Sequence, residues 1–162
     1  MLHRSYRVMD AHHFAYLIYP VSTGINNTLI GGLAGDAITT GDDNIGIGRG
    51  SVDALTSGAC NIAIGLESLS ASTTSCLNVA IGHCALGGAI ATGTNNIAIG
   101  TTSLDALTSG IDNIALGRNA MGVATTGCFN VAIGASALGG AATTSIDNVA
   151  IGTGAMDALT TG

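Results

Sequence analysis

The sequence predicts an all-β fold, a parallel β-solenoid (β-roll) of about eight coils of 17–18 residues with two short strands per coil. Three observations predict it. A unit of 17 or 18 residues recurs over residues 26–162. Each unit opens on a stretch with aliphatic residues at alternate positions, the period of a strand. A glycine then follows at a fixed place, where a tight corner needs a residue free to adopt positive φ.

The unit begins with asparagine, at Asn27, Asn44, Asn61, Asn78, Asn96, Asn113, Asn130 and Asn148. Four residues later comes glycine, at Gly31, Gly48, Gly65, Gly82, Gly100, Gly117, Gly134 and Gly152. Between them lie pairs such as Ile62 and Ile64, whose β-branched side chains suit a strand. A helix pair needs roughly 33 residues per repeat, so each unit is too short for one. One coil per unit is the natural reading, with strands stacked in parallel at ~4.8 Å and eight coils forming a rod of roughly 35–40 Å. Residues 44–95 align with 96–147 without a gap, so a block of three units has been duplicated.

Stacking places equivalent side chains one above another. The asparagine column is therefore expected to form an amide ladder, alongside any preference of each Asn for a turn. The core is expected to hold the aliphatic residues one and three positions after each Asn, together with a later column that includes Val52, Leu69, Leu86, Leu104, Met121, Leu138 and Met156. On that assignment Ile99→Asp should unfold the rod locally by burying an unpaired charge. The residue between the paired aliphatics should then face outward: Leu29, Gly46, Ala63, Ala80, Ala98, Ala115, Ala132 and Ala150. Such a smooth stripe suggests packing against other copies of the chain, the alternative being a small-residue surface that tolerates water.

Residues 1–25 form a different segment, an atypical leader or cap that holds every aromatic except Phe129 and every histidine except His83. Arg4 and Arg7 precede the apolar run Phe14 to Tyr19, but Asp10, His12 and His13 interrupt the approach and Pro20 closes it, so no cleaved signal is expected. Charged residues are 9% of the chain, lysine is absent and the formal net charge is −6. That balance excludes nucleic-acid binding through clustered cations and a polybasic membrane surface. The charge-free stretches 68–104 and 119–146 are broken by Asn, Gly, Ser and Thr, so no membrane insertion is expected.

Units such as Asn78-Val-Ala-Ile-Gly82 and Asn130-Val-Ala-Ile-Gly134 resemble the Asn-x-Ala-Ile-Gly repeats of bacteriophage tail-fibre and related adhesin stalks. They are also similar to the head repeats of trimeric autotransporter adhesins, whose unit is shorter. The resemblance covers residues 27–162. It implies a structural or adhesive stalk that contributes to host attachment, located in a virion or at a cell surface. The implied partners are other copies of the chain, as a trimer, and a host cell-surface receptor. The sequence stops at Gly162 within a unit, so it is expected to be a piece of a longer fibre.

Sharper chemistry is not expected: no catalytic residue, cofactor or metal site is assigned, and the chain is read as a non-enzyme. His83 and Cys84 invite a Cys–His reading, but neighbouring strand side chains point to opposite faces, so an exposed corner variant is preferred. Cys60, Cys76, Cys84 and Cys128 lack zinc spacing and are expected to be free thiols, although Cys60 and Cys76 on neighbouring coils could just reach one another. Asp36 and Asp53 stack in one column with Asp105 and Asp157 further along, a calcium pair or solvated corner residues, the second preferred. His3, His12 and His13 form a histidine cluster without fixed geometry. The alternative function is a monomeric solenoid binding protein, such as an ice-binding protein or a cell-surface adhesin; Thr39-Thr40 and its equivalents raise ice binding, but consecutive threonines cannot both face outward on a strand.

Overall fold

The computed structural model describes residues 7–8, 23–89, 91–140 and 144–159. Strands β1 (Arg7–Val8), β2 (Thr28–Ile30), β3 (Ile45–Ile47), β4 (Ile62–Ile64), β5 (Val79–Ile81), β6 (Ile97–Ile99), β7 (Ile114–Leu116), β8 (Val131–Ile133) and β9 (Val149–Ile151) lie side by side in chain order in one sheet. Every pairing is parallel, and the repeat strands are in strict register, with Ile45 on Ile62, Ala63 on Ala80 and Ile97 on Ile114. This is the predicted parallel β-solenoid. The leader contributes β1, which pairs with β2 through Arg7 and Val8. No helix among the described residues is long and apolar enough to cross a membrane.

Among the described residues each coil contains one strand where the sequence predicts two. The reason is local. The Val/Leu/Met column sits in left-handed backbone, with φ of 47–55° at Val52, Leu69, Leu86, Leu104, Met121, Leu138 and Met156. A residue in that conformation turns the chain and cannot continue a strand. The rest of the coil is a chain of corners, still bonded to its neighbours: Leu69 N–H donates to Ala85 O at 3.0 Å and Thr56 N–H to Thr73 O at 2.9 Å.

The glycine four residues after each Asn is required by conformation, and in every copy but Gly152 by space as well. At Gly100 φ is 133°, and an added Cβ would come within 2.5 Å of the Gly117 carbonyl oxygen on the next coil. L-residues avoid that backbone region, and the neighbouring coil leaves no room for a side chain.

The Val/Leu/Met column lies in the core as expected from Val52 to Leu138, but the strand residues reverse the expected assignment. Ala63, Ala80, Ala98, Ala115 and Ala132, the middle residues of their strands, are fully buried, whereas Ile64, Ile99 and Ile133 are 36%, 39% and 36% exposed. Strand side chains alternate, and the inward set is Asn and Ala while the outward set is the paired aliphatics. The interior is already filled from the opposite side by the Val/Leu/Met column from Val52 to Leu138 and by Leu55 and Leu107, all buried, while Met156 in the last described coil is 40% exposed. What remains opposite them is a gap for a methyl group or less. At Gly46 even a Cβ would approach Val52 Cγ2 to 2.7 Å. Isoleucine cannot enter there, and the small-residue stripe read as an outer surface is the lining of the core.

Candidate functional site

The outward aliphatics form a continuous apolar feature of the described surface. Two columns run along the sheet, one from β3 and one from β2 to β9. One follows each Asn: Ile45, Ile62, Val79, Ile97, Ile114, Val131 and Val149. The other precedes each Gly: Ile30, Ile47, Ile64, Ile81, Ile99, Leu116, Ile133 and Ile151. All are half-buried or exposed in the single chain, and Val149 and Ile151 reach 65% and 68%. Eight strands at ~4.8 Å and three residues at ~3.3 Å give a footprint on the order of 350–400 Å². The largest apolar patch on a typical monomer is of the same order, ~300–600 Å², and is often functional. Sequence reasoning inverted this face because it ranked isoleucine as core and alanine as surface. The asparagine ladder carried the contrary signal: once Asn is inward, a period of two sends its neighbours outward.

That ladder is present. Asn44, Asn61, Asn78, Asn96, Asn113 and Asn130 are fully buried. Asn96 Nδ2 donates to Asn78 Oδ1 at 3.2 Å and to Gly110 O at 2.9 Å, and its Oδ1 accepts from the backbone N–H and Nδ2 of Asn113 at 3.1 and 3.0 Å. Each such amide ties three coils together. The column runs unbroken from Asn27, which accepts from Asn44, to Asn148, which donates to Asn130. Its role is structural: a buried amide costs little only because every donor and acceptor is paired.

One corner concentrates ionisable groups. The residues two after the glycine stack as Gly50, Glu67, Cys84 and Thr102 on successive coils, and Glu67 and Cys84 share left-handed backbone, φ 54° and 51°. Arg49 Nη2 donates to Glu67 Oε1 at 3.0 Å, and Cys84 Sγ approaches the other oxygen, Oε2, at 3.9 Å. His83 stands exposed beside Cys84. These residues lie on a corner and not a strand, so the argument that His83 and Cys84 must point apart does not apply. Burial, the charges of Asp105 and Glu67, and the hydrogen bond to Glu67 all push the Cys84 thiol upward. A thiol so placed is held protonated and makes a poor nucleophile. Sequence reasoning missed Glu67 as a neighbour of Cys84; the shared repeat position one coil apart was the available signal.

The other expectations divide. The four cysteines are free thiols. Cys76 Sγ accepts from the Ala59 N–H at 3.3 Å. Asp53 is pushed up first by burial and then by the charges of Asp36 and Glu67. The first threonine is engaged in three of the pairs: Thr39, Thr56 and Thr108 hydroxyls donate to Thr56, Thr73 and Thr125 carbonyls at 3.1, 3.0 and 2.9 Å. The histidine cluster His3, His12 and His13 lies outside the described residues.

No protein-family model, curated protein or solved structure matches the chain.

Proposed function

We propose that the chain is a structural, non-enzymatic stalk segment whose copies associate through the Ile/Val face of the sheet. The observation that carries this reading is the pair of aliphatic columns on the outer side of the sheet, one running from β3 and the other from β2 to β9. A flat face of stacked β-branched residues matches a second such face with little loss of side-chain freedom, because these residues are already stiff at χ1. The low charge of the chain, 9% of residues, suits a surface that is covered in use. The resemblance of the Asn-x-Ala-Ile-Gly units to tail-fibre and adhesin stalks supports an attachment role in a virion or at a cell surface. It also favours three copies and a host receptor beyond the stalk.

The alternative, a monomeric ice-binding solenoid, has weaker support. Several threonine hydroxyls that it would use already donate to the next coil, and the exposed two-rank face is aliphatic. The test is the mass in solution of the wild type and of Ile99→Asp. The stalk reading expects an oligomer that the substitution dissociates. A wild-type chain that stays monomeric at micromolar concentration would refute it.

A further inference from the structure

The corner of Glu67, His83 and Cys84 gathers three different metal-binding side chains on two neighbouring coils. Their ligand atoms, a carboxylate oxygen, an imidazole nitrogen and the thiol sulfur, all lie within 4.8 Å of one another. We propose that this corner binds a divalent transition ion of the zinc class, with Glu67, His83 and Cys84 as ligands and a fourth position open to solvent. The site is additional to the sheet face and does not depend on association of copies.

Four features carry the proposal. The first is distance. Ligands of a tetrahedral ion at ~2.0–2.3 Å stand roughly 3.3–3.8 Å apart, so closing the site takes about 1 Å of side-chain movement. The second is donor chemistry. A thiolate and an imidazole select zinc-like ions over calcium or magnesium, which take oxygen ligands. The third is charge. A bound dication balances Glu67 and the Cys84 thiolate, and the Cys84 proton leaves to solvent as the metal–sulfur bond forms. Asp105 on the following coil is near enough to act electrostatically on both Cys84 and His83, and its Oδ1 is buried without a hydrogen-bond partner. The fourth is division of labour on Glu67: Arg49 occupies Oε1, while Oε2 faces Cys84. That salt bridge orients the carboxylate and leaves one oxygen for the ion.

The corner itself tolerates change, which makes the test clean. Equivalent corners carry Thr101-Thr102 and Ala135-Ser136, and the double variant H83A/C84S writes the latter pair into this coil. Cobalt(II) is titrated into the full chain, into C60S/C76S/C128S, and into H83A, C84S, E67Q and the double variant, with far-ultraviolet circular dichroism to verify the fold. The expected result is a sulfur-to-cobalt charge-transfer band and tetrahedral visible absorption in the wild type and in the triple variant. The band is lost in C84S and in the double variant, and H83A and E67Q each need more cobalt to develop it. Zinc should displace the cobalt and abolish the colour. No band in the wild type, a band that survives C84S, or titrations unchanged in both H83A and E67Q would overturn the site.

Discussion

The asparagine amide is the residue on which the coil depends most. Asn96→Ala removes both donors and the acceptor of one rung, and leaves Gly110 O and the Asn113 amide groups short of partners inside the rod. Each buried polar group stranded in this way costs about 1–3 kcal/mol, so a loss on the order of 3 kcal/mol is expected from denaturant unfolding. The residue just before each Asn has a different demand. Asn26, Asp43, Cys60, Leu77, Asn95, Asp112, Phe129 and Asp147 all have φ of 55–61°. Asn and Asp tolerate that region better than branched or large apolar residues. Leu77→Asn, at an exposed position, should therefore raise stability by roughly 1 kcal/mol, read as a higher unfolding midpoint. Asp53 responds to pH. Its pKa is raised in the folded chain by burial and by like charges, so the fold binds its proton more tightly than the unfolded chain does. The penalty is absent in acid and grows as pH rises through the raised value. Asp53→Asn should raise the melting temperature at neutral pH and leave it unchanged in acid below the ordinary carboxylate range. An equal gain at both pH values would show that charge is not the cause.

At the scale of the coil, the sequence made the repeat, its length, its strand and its glycine corner legible, because each is a spacing. Strict spacing also implied the asparagine ladder. What stayed hidden was the phase of the strand. Ile62-Ala63-Ile64 has the right period in either orientation, and hydropathy alone turns isoleucine inward. The orientation is decided by volume, since the Val/Leu/Met column fills the interior and admits only Ala or Gly across from it. The second strand was lost for a related reason: left-handed φ at Leu69 or Leu104 turns the chain where a strand was expected, and sequence does not announce left-handed leucines. Ala98→Leu tests the corrected core. Three added carbons in a site walled by neighbouring coils should cost about 1–3 kcal/mol. In a solenoid, where each coil leans on its neighbours, hydrogen exchange should quicken first around coils 78–113 and less at the ends. Uniform quickening, or none, would contradict the assignment.

For the whole molecule, corrected orientation moves the proposed interface from the alanines to the isoleucines and changes what one substitution should do. Ile99 is 39% exposed on the outer face, so Ile99→Asp leaves the interior of the rod intact instead of unfolding it. The charge falls in the middle of the apolar face, where a second copy would have to bury it. The corner cluster at Glu67, His83 and Cys84 shows the same limit of sequence reading: residues 16 and 17 positions apart became neighbours only once the coils were stacked. The most direct measurement is sedimentation velocity on the wild type and Ile99→Asp, with circular dichroism on both. The account predicts an oligomeric wild type and a folded, monomeric Ile99→Asp. A wild type that sediments as a monomer, or an Ile99→Asp chain that unfolds, would contradict it.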